Sequence, residues 1–323
     1  MAPEDTTHKA HPFEGIMRPS LVLFQLILVV LIPGALTLRT VQVSVSQPPV
    51  ADNPTPLGYT WSLLLFILPL IYLAFWFLLH PQYQIQKKIF ILTLSVLAPL
   101  GIILDLLFAH TFFVFNNHGA VLGINIPGVG GGIPIEEFVF YISGFIFVLL
   151  LYIWSDEVWM DRYNMPYTSD DFQSPGRLLG FHWESVSTAL GLFILAVVYK
   201  KFVAADPDGF PWYWTYLLAA SFVPSAGFFH LVRKYINWRA FSFTFLQIAL
   251  ISLMWEASLA SPYQWWGYQP NAMMGIFLTA WSRLPVEAVF VWLAVTYTTV
   301  IIYEVITIWQ VSGKRFGKLL FGE

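Results

Sequence analysis

The chain has 323 residues, of which 57% are hydrophobic, 18% aromatic and only 11% charged. Soluble domains carry about a quarter charged residues, and so little charge cannot cover a soluble surface. A typical cytosolic enzyme, a nucleic-acid binder and a disordered chain are therefore excluded, and the absence of cysteine removes disulfides, thiolate metal sites, iron–sulfur clusters and a cysteine nucleophile.

The expected fold is all-α, a polytopic integral membrane helical bundle. A spanning helix needs about 20 mostly apolar residues. In chain order the candidates are Ser20–Leu38, Thr60–Leu79, Ile89–Ala109, Pro134–Ile153, Ser185–Phe202, Trp212–Leu231, Phe241–Ala260 and Pro285–Ile308. The first is too long for a signal peptide and has no small-residue cleavage site. The fifth is the weakest, bracketed by Glu184 and the Lys200-Lys201 pair.

Basic residues test this count, because they collect on the cytoplasmic side. With eight spans, twelve of the sixteen Lys and Arg residues share one side, among them Lys87, Lys88, Arg233, Lys234 and Lys314. Arg39, Lys200, Lys201 and Arg283 fall on the other. Dropping the fifth span reduces the split to nine against seven. The expectation is a multi-pass protein of the inner (plasma) membrane, in a lipid bilayer, with both termini cytoplasmic. The Gly-rich outer segment Gly128–Gly132 reads as a flexible connector.

An internal repeat organises the chain. Ile133-Pro134-Ile135-Glu136 and Leu284-Pro285-Val286-Glu287 both open a span, at an offset of 151 residues. The same offset places Asp105 on Glu256, Trp61 on Trp212, Phe90 on Phe241 and Tyr152 on Tyr303. Spans two to four thus superimpose on spans six to eight, as two parallel three-helix repeats with pseudo-twofold symmetry along the membrane normal. The expected organisation is residues 1–58 as tail and first span, 59–154 as first repeat, 155–209 as cytoplasmic loop and linker span, and 210–323 as second repeat and short tail.

Ionisable groups at membrane depth are costly, and their default reading is functional. Asp105, Glu136, Glu256 and Glu287 are expected at one depth in two related pairs. Pro-x-Glu can also be simply a good helix start, since Pro suits the first turn and a Glu there meets the positive helix end. Asp105 and Glu256 lie near helix C-termini, where a carboxylate gains nothing. Glu137 has Ala288 as its counterpart and falls outside the shared design. Glu304, Asp156, Glu157 and Asp161 read as solvated charges of the cytoplasmic rim.

A carboxyl in an apolar pocket can remain protonated near neutrality and act as a general acid. Two acids per half could instead form a proton relay or cation site in a transporter. The many aromatic residues read first as interfacial belts. Trp255 and Tyr141 are the better candidates for rings that line a pocket and stabilise a carbocation. No phosphate loop, metal-ligand spacing or serine triad is present, so neither a metal nor a cofactor is expected.

Two three-helix repeats, each with Pro-x-Glu, resemble the lycopene cyclase domain family of heterodimeric and CarR-type integral-membrane carotenoid enzymes, here with both units fused. The likeness covers roughly residues 59–153 and 210–308. Pro134-Ile135-Glu136-Glu137 fits the family's Pro-x-Glu-(Glu/Asp) pattern; Pro285-Val286-Glu287-Ala288 lacks the final acid. The resemblance implies a redox-neutral cyclisation of the linear end groups of lycopene to β-ionone rings, giving γ- or β-carotene. Glu136 and Glu287 would donate or relay the proton, with Asp105 and Glu256 as their partners. Trp255, Tyr141, Glu137, Pro134 and Pro285 would bind the substrate, lycopene or a related apolar carotenoid. Association with other carotenoid enzymes would follow. The alternatives are a carotenoid end-group hydratase, in which water captures the cation, and a secondary transporter.

Overall fold

The structure is a computed structural model that describes residues 53–167, 178–180 and 182–322, with seven single positions between 24 and 35. Those seven are helical; the rest of the first predicted span lies outside the described residues. Among the described residues, seven helices are long and apolar enough to cross a membrane: α1 Gly58–Leu79, α2 Lys87–Phe112, α3 Ile135–Trp159, α4 Trp183–Phe202, α5 Trp212–Val232, α6 Trp238–Ala260 and α7 Glu287–Ser312. A short helix, α8 Phe316–Phe321, follows. The chain is an all-α bundle and a multi-pass membrane protein.

Each helix divides its apolar residues between the bundle and its outer surface. On α1, Phe66, Leu73 and Phe77 are buried, at spacings that put them on one helical face. Leu68, Tyr72, Phe75 and Leu78 are exposed, which suits contact with acyl chains. The central helices α3 and α7 pack on each other. The first also packs on α1, α2 and α6, the second on α2, α5 and α6. Each therefore touches helices from both halves of the chain.

Short antiparallel strands cap one end of the bundle. Strands β2 Asn125–Gly128 and β3 Gly131–Pro134 form a hairpin leading into α3, and β5 Phe277–Leu278 with β6 Leu284–Pro285 forms one leading into α7. The Gly-rich segment is thus the turn of a built hairpin, not a loose connector. Gly130, at φ 94°, supplies the left-handed residue the turn needs. The hairpins are repeat equivalents with a one-residue change of register: Asn125 pairs with Pro134, whereas Phe277 pairs with Pro285. The halves are joined by β1 Phe113–Val114, which pairs antiparallel with β4 Gly267–Tyr268.

The opposite end is closed by a buried polar knot. Glu304 is 1% exposed, and accepts from Tyr152 Oη at 2.8 Å and from Tyr167 Oη. Tyr152 in turn accepts from the Asn237 amide at 3.3 Å. Asn237 caps α6 and donates to the Met160 carbonyl. Asp156 is also buried, on a π-helical turn ending α3. These positions correct the expectation of solvated rim charges for Glu304 and Asp156: residues 155–167 fold back onto the bundle. Burial and the adjoining Glu304 carboxyl push the Tyr167 phenol well above its ordinary pKa, so it remains a donor. Glu304→Leu should orphan both tyrosine hydroxyls, at about 1–3 kcal/mol each. The check is the thermal midpoint of purified protein, which should fall much less for Tyr167→Phe.

Candidate functional site

Two cavities lie beneath the hairpin end, at the seam between the halves. The inner one, of about 30 Å³, is walled by Tyr59, Phe140, Tyr141, Trp255, Trp266, Tyr268 and Trp292, with Glu137 and Glu256 on its surface. The outer one, of about 100 Å³, lies between α2 and α5 and holds Asp105 among aliphatic and aromatic residues. Phe113, Tyr141, Phe145, Tyr213, Val291 and Val295 line both, so the two spaces share a wall of rings and aliphatic side chains.

Local structure sets the direction of each acid. Glu137 lies in the first turn of α3, where the hairpin feeds the helix, and is 5% exposed. Its Oε1 accepts from Tyr59 Oη at 2.5 Å, a contact that ties α3 to the start of α1. Glu256 begins a π-helical turn that ends α6. Such a turn changes the side-chain phase from that of a plain helix and recurs at functional sites. Both its oxygens are engaged: Ser252 Oγ donates to Oε1 at 3.1 Å and Tyr268 Oη to Oε2 at 2.6 Å. Burial, then the Glu256 carboxyl, push the Tyr268 phenol well above its ordinary pKa, which keeps it a donor. Asp105 is 5% exposed, and its Oδ2 is buried without a partner. Asp105, Glu136 and Glu256 all act electrostatically on Glu137.

The rings around Glu256 form one packed group. Phe66, Phe140 and Trp255 meet pairwise at 5.0 to 5.4 Å between centroids. Trp292 stands 5.4 Å from Phe140. Trp255 is fully buried and donates from Nε1 to Ser62 Oγ at 2.8 Å, which fixes the plane of the indole.

The sequence-predicted residues separate into two groups. Asp105, Glu256, Trp255, Tyr141 and Glu137 all face the cavities. Glu136, Glu287, Pro134 and Pro285 line neither of these two cavities. Instead, Glu136 Oε1 accepts from the Leu122 amide at 2.8 Å and Thr60 Oγ1 at 2.6 Å. Glu287 Oε1 accepts from the Met274 amide at 2.6 Å, one residue from the repeat equivalent of Leu122. Both carboxyls hold the loop before a hairpin against the helix after it. Pro134 and Pro285 are the last strand residues before those helices.

Tyr59, Tyr213, Trp266 and Tyr268 also form the inner wall; of these, the sequence draws attention only to Trp266 and Tyr268. Trp266 and Tyr268 belong to the aromatic loop after α6, where a membrane-interface belt is the ordinary reading. The signal for them was the proximity of that loop to the C-terminal end of α6, where Glu256 sits. Among the described residues no group of three His, Asp or Glu side chains is placed to hold a metal ion.

Fold and site together define a polytopic membrane protein with carboxyls from both halves facing one aromatic cavity. No protein family matches this chain, and no match is found among curated proteins or solved structures.

Proposed function

We propose that this protein is a membrane isomerase that cyclises the linear end group of an apolar polyene by proton transfer, the reaction of a lycopene cyclase. One observation carries the reading: Glu137 and Glu256, from opposite halves, face a small cavity whose remaining walls are aromatic or aliphatic.

The chemistry needs an acid, a base, π faces and exclusion of water. Glu137 serves as the acid: Tyr59 holds one of its oxygens, and the carboxyl faces the cavity where the alkene would lie. Protonation of the terminal alkene at C2 leaves a cation at C1. The C5=C6 π pair attacks it, forming the C1–C6 bond and moving the cation to C5. Loss of the C6 proton closes the β-ionone double bond, with no change in oxidation level. Glu256, with two hydroxyl donors holding its oxygens in place, accepts that proton. Trp255, Trp292 and Phe140 present rings to the passing positive charge. Asp105, on the neighbouring cavity, is the third carboxyl available to return the proton to Glu137.

Expression in cells that accumulate lycopene tests the reading. Pigment extracts should contain γ- or β-carotene. A 1-hydroxylated product would assign a hydratase instead, and an unchanged lycopene pool with good membrane expression would refute both.

A further inference from the structure

The repeat makes the two flanks of the inner cavity comparable position by position, and they are built differently. On the flank between α1 and α6, Phe66, Phe140 and Trp255 fill the space with three interlocked rings. The 151-residue offset carries these onto Leu217, Val291 and Leu104. All three counterparts are smaller, and all three line the outer cavity between α2 and α5. A close-packed interior does not relax to refill the volume of lost rings, so such exchanges leave a void. One flank is plugged and the other is open because the repeat departs from symmetry at these three pairs.

The open flank has a closed top and a lipid-facing side. Toward the hairpins, Phe112 bridges α2 to α5 through Tyr213 and Tyr216, with centroids at 4.7 and 5.1 Å. Further along α2, Leu100 lines the cavity and is 40% exposed on the apolar exterior. Gly101 leaves room for Phe145, since a Cβ there would meet that ring at 2.8 Å. Phe145 belongs to both cavities and stands where they join. The polar atoms of the far wall are satisfied: Ser221 Oγ donates to the Ala294 carbonyl at 3.0 Å and lies 2.5 Å from Thr298 Oγ1. Asp105 brings to this cavity a buried carboxyl oxygen without a hydrogen-bond partner among the described residues.

We propose that the opening between α2 and α5 is a lateral entry groove, through which an extended hydrocarbon chain passes from the bilayer core to Glu137 and Glu256. Leu104, Leu217 and Val291 form its seat. The proposal rests on the polyene reading above and deepens it: the ligand is rod-like and apolar, and only one end of it is inserted at a time. Asp105 lies beside the entering chain, reachable from lipid and shielded from water.

The test uses Asp105 as a reporter and needs no turnover. Diisopropylcarbodiimide, small and uncharged, dissolves in the bilayer and adds a carboxylic acid across its C=N bond; the O-acylisourea rearranges to a stable N-acylurea. Full-length protein in vesicles should gain this adduct at Asp105, read by peptide mass spectrometry, and none from a charged, water-soluble carbodiimide. Leu104→Trp and, separately, Val291→Phe restore the counterpart rings and should abolish the adduct. Leu195→Trp, on the exposed face of α4, should leave it unchanged. Folding of each variant is checked by its elution as a single symmetric species in detergent. The proposal is overturned if folded wild-type protein gives no adduct, if the charged reagent reacts as well, or if both folded ring variants still react. Pigment conversion without the adduct removes the groove alone. The adduct without conversion keeps the groove and removes the cyclase.

Discussion

Glu137→Gln should abolish ring formation in lycopene-accumulating cells, while Glu136→Gln, one residue away, should leave most of it. The contrast follows from geometry. Glu137 lines the cavity with one oxygen held by Tyr59, whereas Glu136 lines neither cavity. A glutamine there keeps an acceptor for Tyr59 and the side-chain volume but loses the acidic proton. Loss of a general acid costs roughly 10²–10⁴-fold in rate. Glu136 uses Oε1 to hold Thr60 and the Leu122 amide, and an amide oxygen can accept both bonds. Pigment ratios normalised to membrane protein check the pair. Equal loss in both variants would return the proton to Glu136, and activity in Glu137→Gln would remove the acid from the mechanism.

The neighbouring pair also shows what could be read from sequence. Apolar runs located every described spanning helix, because a segment buried in lipid must satisfy its backbone internally and show little charge. The repeat was visible because Pro-x-Glu recurs at equal distance from a preceding acid. Symmetry, however, identifies what both halves need, and both halves need a lock between hairpin and helix. Glu136 and Glu287 are that lock. The cavity lies where the repeat is broken: Glu137 faces it and Ala288 is its counterpart, and Trp255 plugs a flank that Leu104 leaves open. Glu137, which the resemblance places among the substrate contacts, has no symmetry mate and faces the cavity.

Other gaps have a different cause. The hairpins are too short, and one too rich in glycine, to carry a period-two pattern. Asp156 lies at the end of α3 and Glu304 in the last third of α7, toward the side where a charge is ordinarily solvated. Their burial depends on Tyr167, Asn237 and the chain folding back over them, which are contacts between distant residues with no local signature.

Glu287→Ala should lower stability more than activity at low temperature, reversing the pattern expected at Glu137. The carboxyl is fully buried, and its Oε1 is the acceptor for the Met274 amide, itself in a segment of buried residues. Removing the acceptor strands a buried N–H, at about 1–3 kcal/mol. Glu287→Gln keeps the acceptor but not the charge, so its loss should fall between wild type and alanine. Glu136→Ala frees two part-buried donors, the Thr60 hydroxyl and the amide of the exposed Leu122, and should cost less than Glu287→Ala. Thermal midpoints of purified variants, beside pigment conversion in cells grown cool, separate the roles. A Glu287→Ala protein that melts like wild type yet converts nothing would make Glu287 a participant in proton transfer; one that melts early and still cyclises would make it the clamp that holds β5, β6 and α7 around the site.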